Sequence, residues 1–176
     1  RPQEIRRASY PRHPTSMPSP SADARPAVRP FAGLVVVELG NSVAAPFAGQ
    51  ILGELGAEVI KIEKPEGDDA RQWGPPFSEG ASCFFQALNR NKQSVVCDLR
   101  SEVDRGGLVA LIRGRADIVL QNLRPGQVES LGLDGPALLK LKPELIYCNV
   151  GAFGREGPLK DRPGYDPLMQ AFAGIM

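Results

Sequence analysis

From Phe31 onward, short β-branched apolar runs alternate with segments whose apolar residues recur every three or four positions. Leu34-Val35-Val36-Val37-Glu38-Leu39 is nearly continuous, the pattern of a strand covered on both faces of a parallel sheet. Gly40-Asn41-Ser42-Val43-Ala44-Ala45 turns the chain. Pro46 then opens a helix that carries Phe47, Ile51 and Leu55 at helical spacing, and Gly56 stops it. Glu58-Val59-Ile60-Lys61-Ile62 follows as a second strand, so the first thirty ordered residues predict a right-handed βαβ unit. Further strands are predicted at Ser94-Val95-Val96-Cys97, Ile118-Val119-Leu120 and Leu145-Ile146-Tyr147-Cys148-Asn149-Val150. Between them, residues 82–88 predict a short helix burying Phe84, Phe85 and Leu88. Residues 102–113 predict a longer one with Leu108, Leu111 and Ile112 inward, and a helical pair falls near 128–131 and 137–141. This alternation predicts an α/β fold with a doubly wound, mostly parallel, Rossmann-like sheet.

Ligands of such sheets bind beyond the carboxyl ends of the strands. The polar or Gly-rich segments 41–44, Lys64, 122–126 and 151–154 should all emerge there, as should the long aperiodic loop 64–77. Arg162-Pro163-Gly164-Tyr165-Asp166-Pro167 comes next. Pro163 and Gly164 make a turn, and Asp166 is predicted at a helix N-cap with Pro167 at the first helical position. Two roles fit that geometry. Asp166 caps a helix, or it is a carboxylate nucleophile aimed by backbone donors and the helix dipole.

Composition narrows the chemistry. The 176 residues are 42% hydrophobic and 23% charged, ordinary for one α/β domain with a real core. A net charge of +1 gives no electrostatic footprint for nucleic acid or an anionic membrane, and no apolar run is long enough to span a bilayer. Cys83, Cys97 and Cys148 form no Cys-x-x-Cys pair. Cys97 and Cys148 fall in apolar strand runs and are expected as buried free thiols in a reducing compartment. The single histidine, His13, lies outside the predicted fold, which leaves the folded part without an imidazole base or a Ser-His triad. The first βα turn is not Gly-x-Gly-x-x-Gly, and no Walker-type loop occurs. Lys64, Lys92 and Arg124 could each neutralise a phosphate or serve as surface charge. Trp73 walls a pocket or pins its loop, and Glu66, Asp68 and Asp69 read as a solvated acidic turn, with no metal expected.

Residues 1–30 are rich in Pro, Ser and Arg and poor in acids, and predict a disordered tail ahead of a domain covering 31–176. Such a leader fits a mitochondrial transit peptide; with translation starting at Met17 instead, the cytoplasm is the expected compartment.

Seven ordered blocks, at 33–39, 45–48, 55–65, 67–71, 89–94, 117–126 and 162–166, carry a resemblance to a known family. They include Asn89-Arg90-Asn91-Lys92, Gln121-Asn122-Leu123-Arg124-Pro125-Gly126 and Arg162-Pro163-Gly164-Tyr165-Asp166. Together these resemble the N-terminal part of the class III CoA-transferases, the formyl-CoA transferase and carnitine-CoA transferase-like enzymes. The resemblance implies that Asp166 is the covalent nucleophile and that CoA lies along Ser42, Val43, Ala44, Lys64, Leu88, Asn91, Lys92, Asn122, Leu123 and Arg124. It implies no permanently bound cofactor, coenzyme A as substrate, an acyl-CoA and a small carboxylic acid as partners, and an interlocked homodimer. The 67–77 run is most similar to members handling dicarboxylates such as succinate or glutarate.

Two departures accompany the resemblance. The glutamine that some members carry in the first loop is absent, the neighbouring positions being Ser42, Val43 and Ala44. The chain also ends at Met176 inside an apolar segment, about half the family's length, so a truncated and inactive piece is expected. An α-methylacyl-CoA racemase would carry His before the Asp, where this chain has Tyr165; a non-catalytic CoA-binding fragment is the other alternative.

Overall fold

The computed structural model describes residues 28–176; the expected disordered tail, His13 and Met17 lie outside the described residues except for 28–30. Five strands form one parallel sheet: β1 (Val35–Leu39), β2 (Glu58–Glu63), β5 (Lys92–Val96), β6 (Ile118–Gln121) and β7 (Ile146–Asn149). A two-stranded ribbon of β3 (Phe77–Ser78) and β4 (Ala81–Ser82) decorates the long loop. The sheet order is β5-β2-β1-β6-β7, so the chain starts in the centre and winds outward both ways. This is the doubly wound α/β arrangement that the strand–helix alternation predicts.

The side-chain period of two divides the central strands between two cores. Val37, Leu39, Ile60, Ile62 and Val119 pack on one face with Leu108 and Ile112 of α3 (Glu102–Arg115), Val128 of α4 (Gln127–Ser130) and Leu138 of α5 (Gly135–Leu141). Val36, Val59 and Leu120 point to the other face, where Ala45 of α1 (Ala44–Glu54) meets them. Fully burying each of these valines and leucines contributes on the order of 1.5–3 kcal/mol, which is why the β-branched runs take the centre of the sheet. Side chains supply several helix starts: Ser101 Oγ accepts from the Asp104 N–H, and Asp134 Oδ1 from the Ala137 N–H at 2.9 Å.

Three expectations change. The apolar stripe Phe47, Ile51 and Leu55 of α1 is exposed, and the helix rests on Ala45, Gly49 and Gln50 instead. The reason lies beneath it. A Cβ on Gly49 would run into the Glu38 carboxylate, so α1 turns its smallest residues toward a buried charged group. Cys97 is buried as expected, but Cys148 is exposed. It sits on edge strand β7, in register with Leu120 and thus on the α1 face of the sheet, at its margin. Finally, α2 (Cys83–Leu88) buries Phe85 but leaves Phe84 exposed, its ring tilted against that of Trp73 with centroids 5.2 Å apart.

Candidate active site

Every carboxyl-terminal strand end opens onto one groove of about 1910 Å³. It is lined by Asn41, Ser42, Val43 and Ala44 after β1, by Lys64 after β2, and by Asn122, Leu123 and Arg124 after β6. The 151–154 loop after β7 and Asp166 complete it. Cys97, Asp98, Leu99 and Arg100 after β5 line it too; no Gly-rich run marks them in the sequence, although the same parallel-strand argument reaches them.

The first loop is held by reciprocal amide bonds. The Asn41 N–H donates to Asn122 Oδ1 at 2.9 Å, and Asn122 Nδ2 donates back to the Asn41 carbonyl at 2.9 Å. Asn41 Nδ2 reaches Asp69 Oδ2 at 2.9 Å, while Asp69 Oδ1 pairs with Lys64 Nζ at 2.7 Å. That hydrogen bond raises the Lys64 pKa, and with Asn41 it lowers that of Asp69. The pair is half exposed, so a phosphate can compete for Lys64 at small cost.

Beneath the loop runs a chain of buried charges that periodicity does not show. Lys92 Nζ lies 2.8 Å from Glu38 Oε2, Lys61 Nζ 3.0 Å from Glu38 Oε1, and Lys61 Nζ 2.8 Å from Asp68 Oδ2. Two cations therefore face two anions. Burial disfavours the Lys61 ammonium, but Glu38 and Asp68 outweigh it and its pKa rises; at Lys92 burial prevails and the pKa falls to about 8. The next strand end is fixed separately. Burial pushes the Glu63 carboxyl up, yet hydrogen bonds from Arg71, Ser94 Oγ and the Asp68 N–H outweigh it and bring its pKa down to about 2. Arg71 meets both Glu63 oxygens at 2.7 Å and lies 3.9 Å from the centre of the Phe85 ring.

Asp166 opens α6 (Asp166–Phe172), but as its first residue and not its cap. Tyr165 has the extended cap backbone, Pro167 falls at the second helical position, and no side chain caps this end. Asp166 is thereby exposed at the helix head, with Gln170 Nε2, one turn on, donating to its Oδ2 at 2.6 Å. An acidic group in a helix's first turn is favoured by the dipole. Three contacts aim α6. Arg124 Nη2 donates to the Tyr165 hydroxyl at 3.0 Å, and Phe153 meets Phe172 edge-on at 5.6 Å. Gly164 closes against Ala152 in a gap that no Cβ would fit.

Eight of the eleven residues predicted for the site thus meet in one groove: Asp166, Ser42, Val43, Ala44, Lys64, Asn122, Leu123 and Arg124. Leu88, Asn91 and Lys92 are not among its lining residues. Leu88 ends α2, and Asn91 is an exposed turn residue at φ +61°. The Lys92 ammonium is taken up by Glu38, by the Pro46 carbonyl at 2.6 Å and by Asn89 Oδ1 at 2.9 Å. Trp73, pinned on Phe84, also lines the groove, so the wall and the pin coincide. Asp68 belongs to the buried charges and is not part of a solvated turn.

Comparison with known proteins identifies the family. A family model described as CoA-transferase family III matches residues 31–176. A succinate–glutarate CoA-transferase of Agrobacterium fabrum is 42% identical over 154 residues, covering 84% of this chain and 38% of that protein. An acetyl-CoA:oxalate CoA-transferase of Acetobacter aceti is 43% identical over 148 residues, covering 84% and 38%. Among solved structures, a CAIB/BAIF family protein from Brucella suis superposes with a TM-score of 0.78 at 46% identity, over 84% of this chain and 40% of that one. The chain spans 38% of the length of both curated relatives.

Proposed function

The chain belongs to CoA-transferase family III, and we propose from that membership that the whole protein moves CoA from an acyl-CoA donor to a carboxylic acid, with Asp166 as nucleophile. The observation that carries the proposal is the convergence of the exposed Asp166 carboxylate, at the head of α6, with the loops of all five sheet-strand ends in a single groove. Relatives named for succinate, glutarate and oxalate favour small dicarboxylates as the acids exchanged. The working form is an interlocked homodimer.

The reaction is a relay of acyl groups. The Asp166 carboxylate attacks the donor thioester carbonyl; the C–S bond breaks, leaving an aspartyl mixed anhydride and a CoA thiolate. The thiolate attacks the aspartyl carbonyl, which releases the donor acid and leaves an aspartyl-CoA thioester. The acceptor carboxylate then displaces the thiolate to form a second anhydride. Attack of the thiolate on its acyl carbon yields the new acyl-CoA and restores Asp166. Each step passes a tetrahedral oxyanion, for which the free N–H groups at the start of α6 and the backbone of Gly151 and Gly154 are the candidate donors. Water must be excluded, because an anhydride hydrolyses. Lys64 and Arg124 supply charge for the phosphates of CoA.

The test is transfer from succinyl-CoA to a panel of carboxylic acids by the whole protein and its Asp166→Ala variant. The variant should lose transfer while binding CoA within a few-fold of wild type. Retention of a tenth of wild-type turnover would contradict the assignment of Asp166.

A further inference from the structure

Two of the four buried charges under the groove also hold the first loop: Lys61 through Gly40 and Asp68 through Ser42. Asp68 Oδ1 accepts the Ser42 N–H at 3.1 Å, a donor it shares with Asn41 Oδ1 at 3.0 Å, and the Ala70 N–H at 2.9 Å, while Oδ2 faces Lys61 at 2.8 Å. Lys61 Nζ in turn donates to the Gly40 carbonyl at 2.9 Å. The two side chains therefore bracket the turn: Lys61 holds the residue before Asn41, Asp68 holds the residue after it, and their own ion pair closes the ring. Ser42 needs such a clamp. It sits at φ +67°, a left-handed conformation that a residue with a Cβ adopts only when its surroundings enforce it. Glu38 alone does not suffice for balance, because its second oxygen is occupied by Lys92, so removing Asp68 would leave two buried ammonium groups on one carboxylate.

We infer that Asp68 is a positioning residue for acyl-CoA: through Lys61 and the Ser42 amide it fixes the 40–42 turn that lines the groove. The inference rests on the CoA-transferase reading above. Asp68 does not reach the reacting atoms, and its loss is felt in substrate binding while the chemistry at Asp166 is spared. A neutral amide at this position can satisfy the Ser42 N–H or face Lys61, but not both as well as a carboxylate does.

The experiment compares the whole wild-type protein with Asp68→Asn and, from the other end of the clamp, Lys61→Met. With succinyl-CoA as the probe, KM should rise about tenfold in each, the size expected for losing one charged hydrogen bond, with kcat within about threefold. A folded Asp68→Asn protein with wild-type KM, or with kcat lost and KM unchanged, would overturn the inference. Amide hydrogen exchange on the ligand-free protein reads the clamp without any substrate. The Ser42 N–H should be protected before CoA is added and should exchange faster in a folded Asp68→Ala protein; equal rates in the two would show that Asn41 Oδ1 alone holds it and would overturn the inference. Wild-type protein that transfers no CoA would sink the proposed function instead, and is thereby distinguished from failure of the clamp.

Discussion

Asn41 and Asn122 lie 81 residues apart in the chain and exchange two hydrogen bonds of 2.9 Å, each using one backbone and one side-chain group. The pair ties the loop after β1 to the loop after β6, two neighbouring strands of the sheet, and so gives the groove a fixed floor. Asn122→Ala removes both bonds at once. It should cost about 1–3 kcal/mol of stability, because the Asn41 N–H and carbonyl lose their partners in a half-buried position. CoA binding should weaken with it. Chemical denaturation and calorimetric titration with CoA check both effects; unchanged affinity would separate this pair from the site.

Lys64→Ala and Arg124→Ala, made separately, should weaken CoA more than a pantetheine analogue without the nucleotide phosphates. The difference should shrink as salt rises, since both groups are exposed charges. Arg124 also holds the Tyr165 hydroxyl, so Tyr165→Phe is the control. That variant should leave the CoA-to-pantetheine ratio unchanged. Equal losses for both ligands in the Lys64 and Arg124 variants would reduce these side chains to surface charge.

Glu63 makes stability depend on acid. Its pKa is about 2 in the fold against the usual 4.5, so the stabilisation is fully present above pH 4.5 and is lost as the pH falls from there toward 2. A shift of that size corresponds to about 3 kcal/mol. In urea unfolding, the stability gap between wild type and Glu63→Gln should close by that order between about pH 6 and pH 2. A gap independent of pH would show that Arg71 and Ser94 do not hold the carboxylate as described.

Much of this was legible in the chain, for particular reasons. Val36, Val37, Val59 and Val119 lie in apolar runs too continuous for a half-exposed strand, which identified a sheet covered on both faces, and parallel strands then sent the loops to one edge. Helical spacing placed α1 but not its orientation. Phe47 and Ile51 face outward because Gly49 must sit over Glu38, and no periodicity reports the neighbour beneath. The buried charges were hidden for the same reason. Glu38 and Lys61 become partners through the β1–β2 register, which sets them side by side, and Lys92, at the start of β5, joins them through Glu38 Oε2. Helix-start grammar puts the cap at Asp166, whereas Tyr165 takes the cap conformation with its backbone alone.

The central claim is that Asp166 forms a covalent bond. The whole protein should be mixed with succinyl-CoA without acceptor acid, quenched in acid, digested, and weighed by mass spectrometry. The peptide containing Asp166 should gain the mass of CoA less one water, and hydroxylamine should convert it to the aspartyl hydroxamate. In the Asp166→Asn variant neither product should form. A wild-type protein that turns over CoA between acids at full rate while that peptide stays unmodified at every quench time would contradict the account.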